Sequence, residues 1–228
     1  MSSLAVSIEG LEFLLLARRG LFWPEQKTLF IADTHFGKEA TFRSQGVPVP
    51  RGSTKGTLST IAAMVSEHQA SRLILLGDMF HARSSISEDI RKSLDTFFSD
   101  NAQLQFTLVL GNHDRNLRKL PPNWPIEIVD SGTQLGRLSI SHIPEEPRQG
   151  SSLLLCGHIH PAYRVRSQFD SVGKLPCFWL SQRQLVLPAI GEFTGTQLIK
   201  PSDSDRTWVI ADGNILDVSN TNQSRRLS

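Results

Sequence analysis

The chain has 228 residues, 39% hydrophobic and 20% charged, with 16 Gly and 12 Pro, a composition that excludes disordered, collagenous and coiled-coil proteins. Its 24 Lys and Arg stand against 22 Asp and Glu, and the resulting +2 is too even to argue for nucleic acid by itself. A chain this long buries roughly 70% of its unfolded surface and needs no disulfide to fold; Cys156 and Cys177 both lie in apolar runs and read as buried small hydrophobes.

The first apolar run, Leu11 to Ala17, is interrupted by Glu12 and is far short of the ~20 residues that cross a bilayer. The Arg18-Arg19 pair follows it, the reverse of a signal peptide's order. No later segment spans a membrane, so a soluble cytoplasmic protein is expected. Turn chemistry at Gly20 and Trp23-Pro24 precedes a strand from Thr28 to Ala32. A Gly- and Pro-rich loop from Gly46 to Gly52 leads to a helix capped by Ser53 or Thr54 and ending near Gln69, with Leu58, Ile61, Ala62 and Val65 at helical spacing. His68, at its end, is expected on the surface. Leu73 to Leu76 is a buried strand, Ser85 and Glu88 form a capping box for a helix to about Ser99, and Leu104 to Leu110 is the next strand. Strands alternating with helices imply a mainly parallel sheet.

After Pro121 short strands follow with little helix: Ile126 to Val129, Leu138 to Ser141, Leu153 to Cys156, Phe178 to Leu180, Gln184 to Leu187, Thr196 to Ile199 and Thr207 to Ala211. They predict an antiparallel second sheet. The fold class is α/β, one domain over residues 1–218 built of two packed sheets, with residues 219–228 a frayed polar tail.

Strand ends carry the chemistry. Asp33-Thr34-His35 follows TLFIA, Gly77-Asp78 follows LILL, Gly111-Asn112-His113-Asp114 follows TLVL, His142 follows LSIS, and Gly157-His158-Ile159-His160 follows LLLC. Ligands of α/β sheets collect outside the carboxyl ends of strands, so these residues converge. Carboxylate and amide oxygens with imidazole nitrogens, and no thiolate, suit Mn, Fe, Zn or similar ions rather than a structural zinc site. Seven ligands exceed one tetrahedral ion and point to two, ~3.5–4 Å apart, a pair that clamps attacking and leaving oxygens in phosphoryl transfer.

In this order, D-x-H, G-D, G-N-H-D, a lone H and G-H-x-H resemble the calcineurin-like metallophosphoesterase superfamily. That resemblance implies two packed mixed β-sheets flanked by helices, an αββα sandwich with a dinuclear site. The segments LFWPEQKTLFIADTHFGKEATFRSQGVPVPRG, GDMFHAR, GNHDR, GHIHPA, FWL and LVLPAIGEFTG further resemble the ligase-associated DNA damage response endonucleases of the PdeM family. By that resemblance the chain is a phosphodiesterase or endonuclease acting on DNA during repair beside an ATP-dependent DNA ligase and a helicase. Two divalent ions are its cofactors, Mn2+ first, with Fe2+, Zn2+ or Ni2+ as alternatives.

The same resemblance implies roles. Asp33, His35 and His160 hold one metal, Asn112, His142 and His158 the other, and Asp78 bridges them. His113 is the general acid or charge stabiliser at the leaving oxygen, oriented by Asp114. Asn112, His113, Arg115, Arg83 and His81 meet the substrate, with His81 alternatively fixing its loop. Lys38 and Arg43 are further basic residues near the motifs. The four tryptophans are too scattered for a stacking platform, and no helix-turn-helix, zinc finger or basic arm is present. A phosphoesterase for a small phosphodiester or phosphomonoester is the rival reading, and a non-catalytic scaffold of the same fold the second.

Overall fold

The computed structural model describes residues 2–44, 46–50, 52–81, 86–114, 120–166 and 171–219. The strand Thr28–Ile31 is buried at every position. Its alternation divides it between two cores, Leu29 and Ile31 in one and Phe30 in the other. A strand apolar on both faces must lie between two layers. It is the fourth strand of a seven-stranded sheet ordered β1 (Ser3–Ile8), β2 (Leu11–Leu16), β3 (Leu21–Trp23), β4 (Thr28–Ile31), β5 (Arg72–Leu75), β6 (Gln105–Val109) and β7 (Ile126–Val129). From β4 to β7 the neighbours are parallel, as strand–helix alternation requires. From β1 to β4 they form an antiparallel meander.

The second sheet has nine strands. Its main path runs β14 (Gln197–Leu198), β11 (Pro161–Arg166), β12 (Ser171–Ser181), β13 (Gln184–Val186), β10 (Leu153–Cys156), β9 (Leu138–Ile140), β8 (Thr133–Leu135). Strand β15 (Arg206–Ala211) pairs with β12 and with β16 (Asn214–Asp217). The facing sides of the two sheets share one core that includes Phe13, Phe30, Ile74, Leu155, Phe178 and Trp208. The other side of the first sheet is covered by α2 (Ser53–His68) and α3 (Glu88–Asp100), whose Leu58, Ile61, Met64, Leu94, Phe97 and Phe98 pack on Leu29, Ile31, Leu73 and Phe106. A short helix α1 (Lys38–Ser44) precedes α2. Two mixed sheets with helices make the α/β sandwich expected. Cys156 and Cys177 are free and fully buried, and burial pushes the Cys177 thiol up to about 12.

Five expectations are corrected. The second sheet is mixed, because β9–β10 and β10–β13 are parallel pairs. This direction matters: two parallel strands end on the same edge, so His142 after β9 and Gly157-His158 after β10 emerge together, whereas an antiparallel pair would send them to opposite edges. The cap of α3 is Ser87, whose hydroxyl accepts from the Ile90 N–H at 3.4 Å, and Ser85 lies outside the described residues. Helix α2 takes no cap from Ser53 or Thr54; Gly52 stands at its N-cap, and the buried Glu39 carboxylate of α1 accepts from the Thr54 N–H (3.4 Å) and hydroxyl (3.1 Å). His68 is half-buried, its ring centroid 5.1 Å from that of Phe22. In the predicted tail, Ser219 is tied down by accepting from the Thr207 N–H at 3.1 Å, and residues 220–228 lie outside the described residues.

Candidate metal centre

The loops after β4 and β5 continue the parallel pairing beyond the strands. The N–H groups of Asp33, His35 and Phe36 donate to the carbonyls of Gly77 (3.3 Å), Asp78 (3.0 Å) and Met79 (2.8 Å). Asp33 and Asp78 are thereby delivered side by side. The loop after β6 is stitched on by Asp114, which is 2% exposed. Its carboxylate accepts from the N–H groups of Gly111 (3.1 Å), Met79 (3.3 Å) and Phe80 (3.4 Å). The hydrogen bonds its carboxylate makes among the described residues run to these backbone N–H groups, and none runs to the His113 imidazole.

Close approach explains two glycines. A Cβ on Gly77, at φ +82, would stand 2.3 Å from His142 Nδ1, and one on Gly111 would stand 2.2 Å from Asp78 Oδ1. The backbone is also bent: Asp33, His35, Asp78, His158 and His160 all have positive φ, between 43° and 71°. Left-handed backbone costs L-residues roughly 1–2 kcal/mol each, least for Asp, Asn and His, and such outliers cluster at functional sites.

Two groups of ligand atoms result, each within 4.8 Å: Asp33, His35 and His160, and Asp78, His142 and His158. In the first, His160 Nε2 lies 3.4 Å from His35 Nε2 and 3.3 Å from Asp33 Oδ1. In the second, His142 Nε2 lies 3.1 Å from His158 Nδ1 and 3.4 Å from Asp78 Oδ2. Asn112 Oδ1, 2.9 Å from His142 Nε2, joins the second group. The groups touch where the His158 N–H donates to Asp33 Oδ2 at 2.9 Å.

The tautomers decide what these groups want. His142 Nδ1 lies 2.9 Å from the Leu76 carbonyl, and His160 Nδ1 lies 2.9 Å from the Gly195 carbonyl. A carbonyl only accepts, so both Nδ1 atoms are the donors and both Nε2 atoms of the neutral rings present lone pairs. Around those lone pairs stand further acceptors, Asp33 Oδ1 among them, buried with no hydrogen-bond partner. Converging acceptors without a donor need positive charge between them, and this donor set fits a divalent ion in each group.

Charge follows the same logic. Burial works against the charged imidazoles of His142 and His160, yet the carboxylates of Asp78 and Asp33 outweigh it and hold both above the ordinary histidine value. Burial likewise disfavours the Asp78 carboxylate, but hydrogen bonding and charge from His142, with the His113 N–H, hold it below the ordinary carboxylate range. His35 is pushed down to about 3, chiefly by burial, with His160, Lys38 and His113 adding repulsion that Asp78 opposes.

At the solvent side, His113 donates its N–H to Asp78 Oδ1 (3.0 Å), its Nε2 is 3.9 Å from Asp78 Oδ2, and its side chain is 41% exposed. His81 stacks on it at 5.6 Å between ring centroids and meets His35 edge-on at 5.8 Å, with Nδ1 buried and unpartnered. His81 therefore faces the site. Half-buried Lys38 brings its charge against His35, His81 and His160. Arg83 and Arg115 lie outside the described residues. Sequence reasoning missed the Leu76 and Gly195 carbonyls that fix the imidazoles, because a backbone oxygen has no residue signature.

Residues 26–215 match the profile of the calcineurin-like phosphoesterases. Among solved structures, the Pseudomonas putida nuclease MPE is similar at a TM-score of 0.80 and 28% identity, over 95% of this chain and 100% of that one. Yfce, a phosphoesterase from E. coli, is similar at a TM-score of 0.44 and 14% identity, over 84% of this chain and 98% of that one. No curated protein sequence matches the chain.

Proposed function

The chain belongs to the calcineurin-like phosphoesterase family and is a metal-dependent hydrolase, and on that premise we propose that it is a nuclease that hydrolyses phosphodiester bonds in DNA. Likeness to a nuclease over 95% of this chain and 100% of that one carries the choice of a polynucleotide. By the sequence resemblance, the setting is DNA repair beside an ATP-dependent DNA ligase and a helicase.

In this reading Asp33, His35 and His160 hold one divalent ion, and His142, His158 and Asn112 hold the other, with Asp78 shared between them. The ions, Mn2+ by preference, supply an activated water and neutralise phosphate charge when bound. The chain's own part is placement. Leu76 and Gly195 fix the His142 and His160 rings. His113, half-exposed beside Asp78, donates a proton or hydrogen bond to the leaving oxygen. His81, edge-on to His35 and stacked on His113, meets the substrate, and Arg83 and Arg115 contact the substrate backbone.

The test is hydrolysis of bis(4-nitrophenyl) phosphate beside 4-nitrophenyl phosphate by metal-stripped protein, with and without Mn2+, followed by single-stranded and nicked DNA. Metal-dependent preference for the diester and cleavage of DNA are expected. Preference for the monoester would overturn the nuclease reading and leave a phosphoesterase for small substrates.

A further inference from the structure

The ligand set accounts for events at phosphorus and leaves the rest of the substrate unheld. Among the described residues, the exposed large apolar side chains are Val47, Ile128, Ile143, Phe193 and Leu216. Two of these adjoin the candidate metal centre from different groups. Ile143 directly follows His142, and Phe193 lies in the 191–196 loop, which is pinned at both ends to residues of the other group. The Gly191 N–H donates to the Asp33 carbonyl (3.2 Å), and the Gly195 carbonyl accepts from His160 Nδ1 (2.9 Å). The Thr194 hydroxyl closes the loop on the Gly191 carbonyl at 2.6 Å. Phe193 is two residues from either anchor, so the loop cannot carry it far from the ligands.

Its conformation is the second observation. Phe193 has φ +57 and is 41% exposed. Asp and His tolerate left-handed backbone; a bulky aromatic there is an outlier. Glycine would take the same φ without strain and would expose no apolar ring. Backbone preference does not explain a phenylalanine here, and a strained, exposed residue in a loop anchored beside a site points to function.

We propose that Phe193 is a base-stacking residue, which receives the face of an unpaired nucleobase next to the scissile phosphate. The inference rests on the nuclease reading above. A phosphodiester held by the two ligand groups carries a nucleoside on each side, and Phe193 and Ile143 adjoin opposite groups. A lone aromatic rather than a contiguous apolar patch matches one planar base rather than a protein surface or a membrane. Stacking on a side chain needs a base whose face is free, so the occupant is single-stranded.

The test compares two end-labelled strands, an oligothymidine and the same strand with an abasic residue on either side of one cleavable phosphate, cut by the Mn2+-loaded full chain. Wild-type protein should favour the thymine strand in kcat/KM by about tenfold, the factor that ~1.4 kcal/mol of stacking supplies. F193A should bring that ratio close to one, and F193W should keep it. F193G should lose the ratio as F193A does without loss of thermal stability, because it relieves the positive φ. Equal loss by F193A on both strands, or an unchanged ratio, would overturn the stacking role. Cleavage of neither strand by wild-type protein that hydrolyses the aryl diester would instead overturn the nuclease reading, and this inference with it.

Discussion

Replacing Asp114 by Ala would strip three buried backbone N–H groups, those of Gly111, Met79 and Phe80, of their acceptor. An unsatisfied buried donor costs ~1–3 kcal/mol. Three at the low end make a loss of about 3 kcal/mol, which for a chain of this length lowers Tm by roughly 6–12 °C. One term works the other way. Burial raises the Asp114 carboxyl above the ordinary carboxylate range, so its contribution favours the fold fully only below the unfolded pKa and is lost as pH rises through the folded value. At neutral pH its ionisation therefore costs stability, and the low end of the range is the appropriate one. Asp114→Asn separates the effects: the amide carries no charge, and its oxygen can replace Oδ2 for Gly111 and Met79, leaving only the Phe80 N–H without an acceptor. Thermal unfolding of metal-free protein should rank wild type above Asn above Ala. Because the same carboxylate ties the 111–114 loop to the 77–80 loop, Mn2+ affinity should fall in the same order. An Ala variant within about 2 °C of wild type, inactive only through an altered pH–rate profile, would refute this and restore the imidazole-orienting role.

Asp78→Asn should abolish diester hydrolysis while circular dichroism shows the metal-free protein still folded; undiminished turnover would sink the two-ion assignment. His113→Ala should slow esters of poor leaving groups more than 4-nitrophenyl esters, and equal losses would exclude proton donation. Gly77→Ala forces a Cβ to 2.3 Å from the His142 ring at a backbone φ of +82; a loss of ~1–3 kcal/mol in stability and weaker Mn2+ binding by calorimetry are expected. Metal affinity should rise with pH across neutrality, because His142 and His160, held above the ordinary histidine value, must release protons to bind. Calorimetry in buffers of different ionisation enthalpy measures that release, and none at pH 6 would contradict it.

The ligand residues were legible because each stands where an apolar run stops. Strand β4 is buried on both faces, and so is LLLC of β10; a polar residue directly after such a run has already left the core and points out of the sheet edge. The two cores follow from the same alternation. What escaped the sequence were short elements without a periodic run, such as β3 and β8, and the helix caps. Gly52 and Glu39 together begin α2, a contact between segments that no local pattern encodes.

Strand direction was the harder quantity, and function depends on it. The residues between β9 and β10 carry no helix to announce a crossover, so the local pattern could not distinguish a hairpin return from a parallel one. Only pairing makes the choice, through Leu153 against Leu138 and Leu155 against Ile140. Reverse that pairing and the same apolar strands would still bury the same faces, but His142 and His158 would stand at opposite edges of the sheet. The core is indifferent to that reversal; the acceptor cluster around His142 Nε2 is not. Selection for the site therefore acts on strand direction, while burial alone constrains only which residues alternate inward.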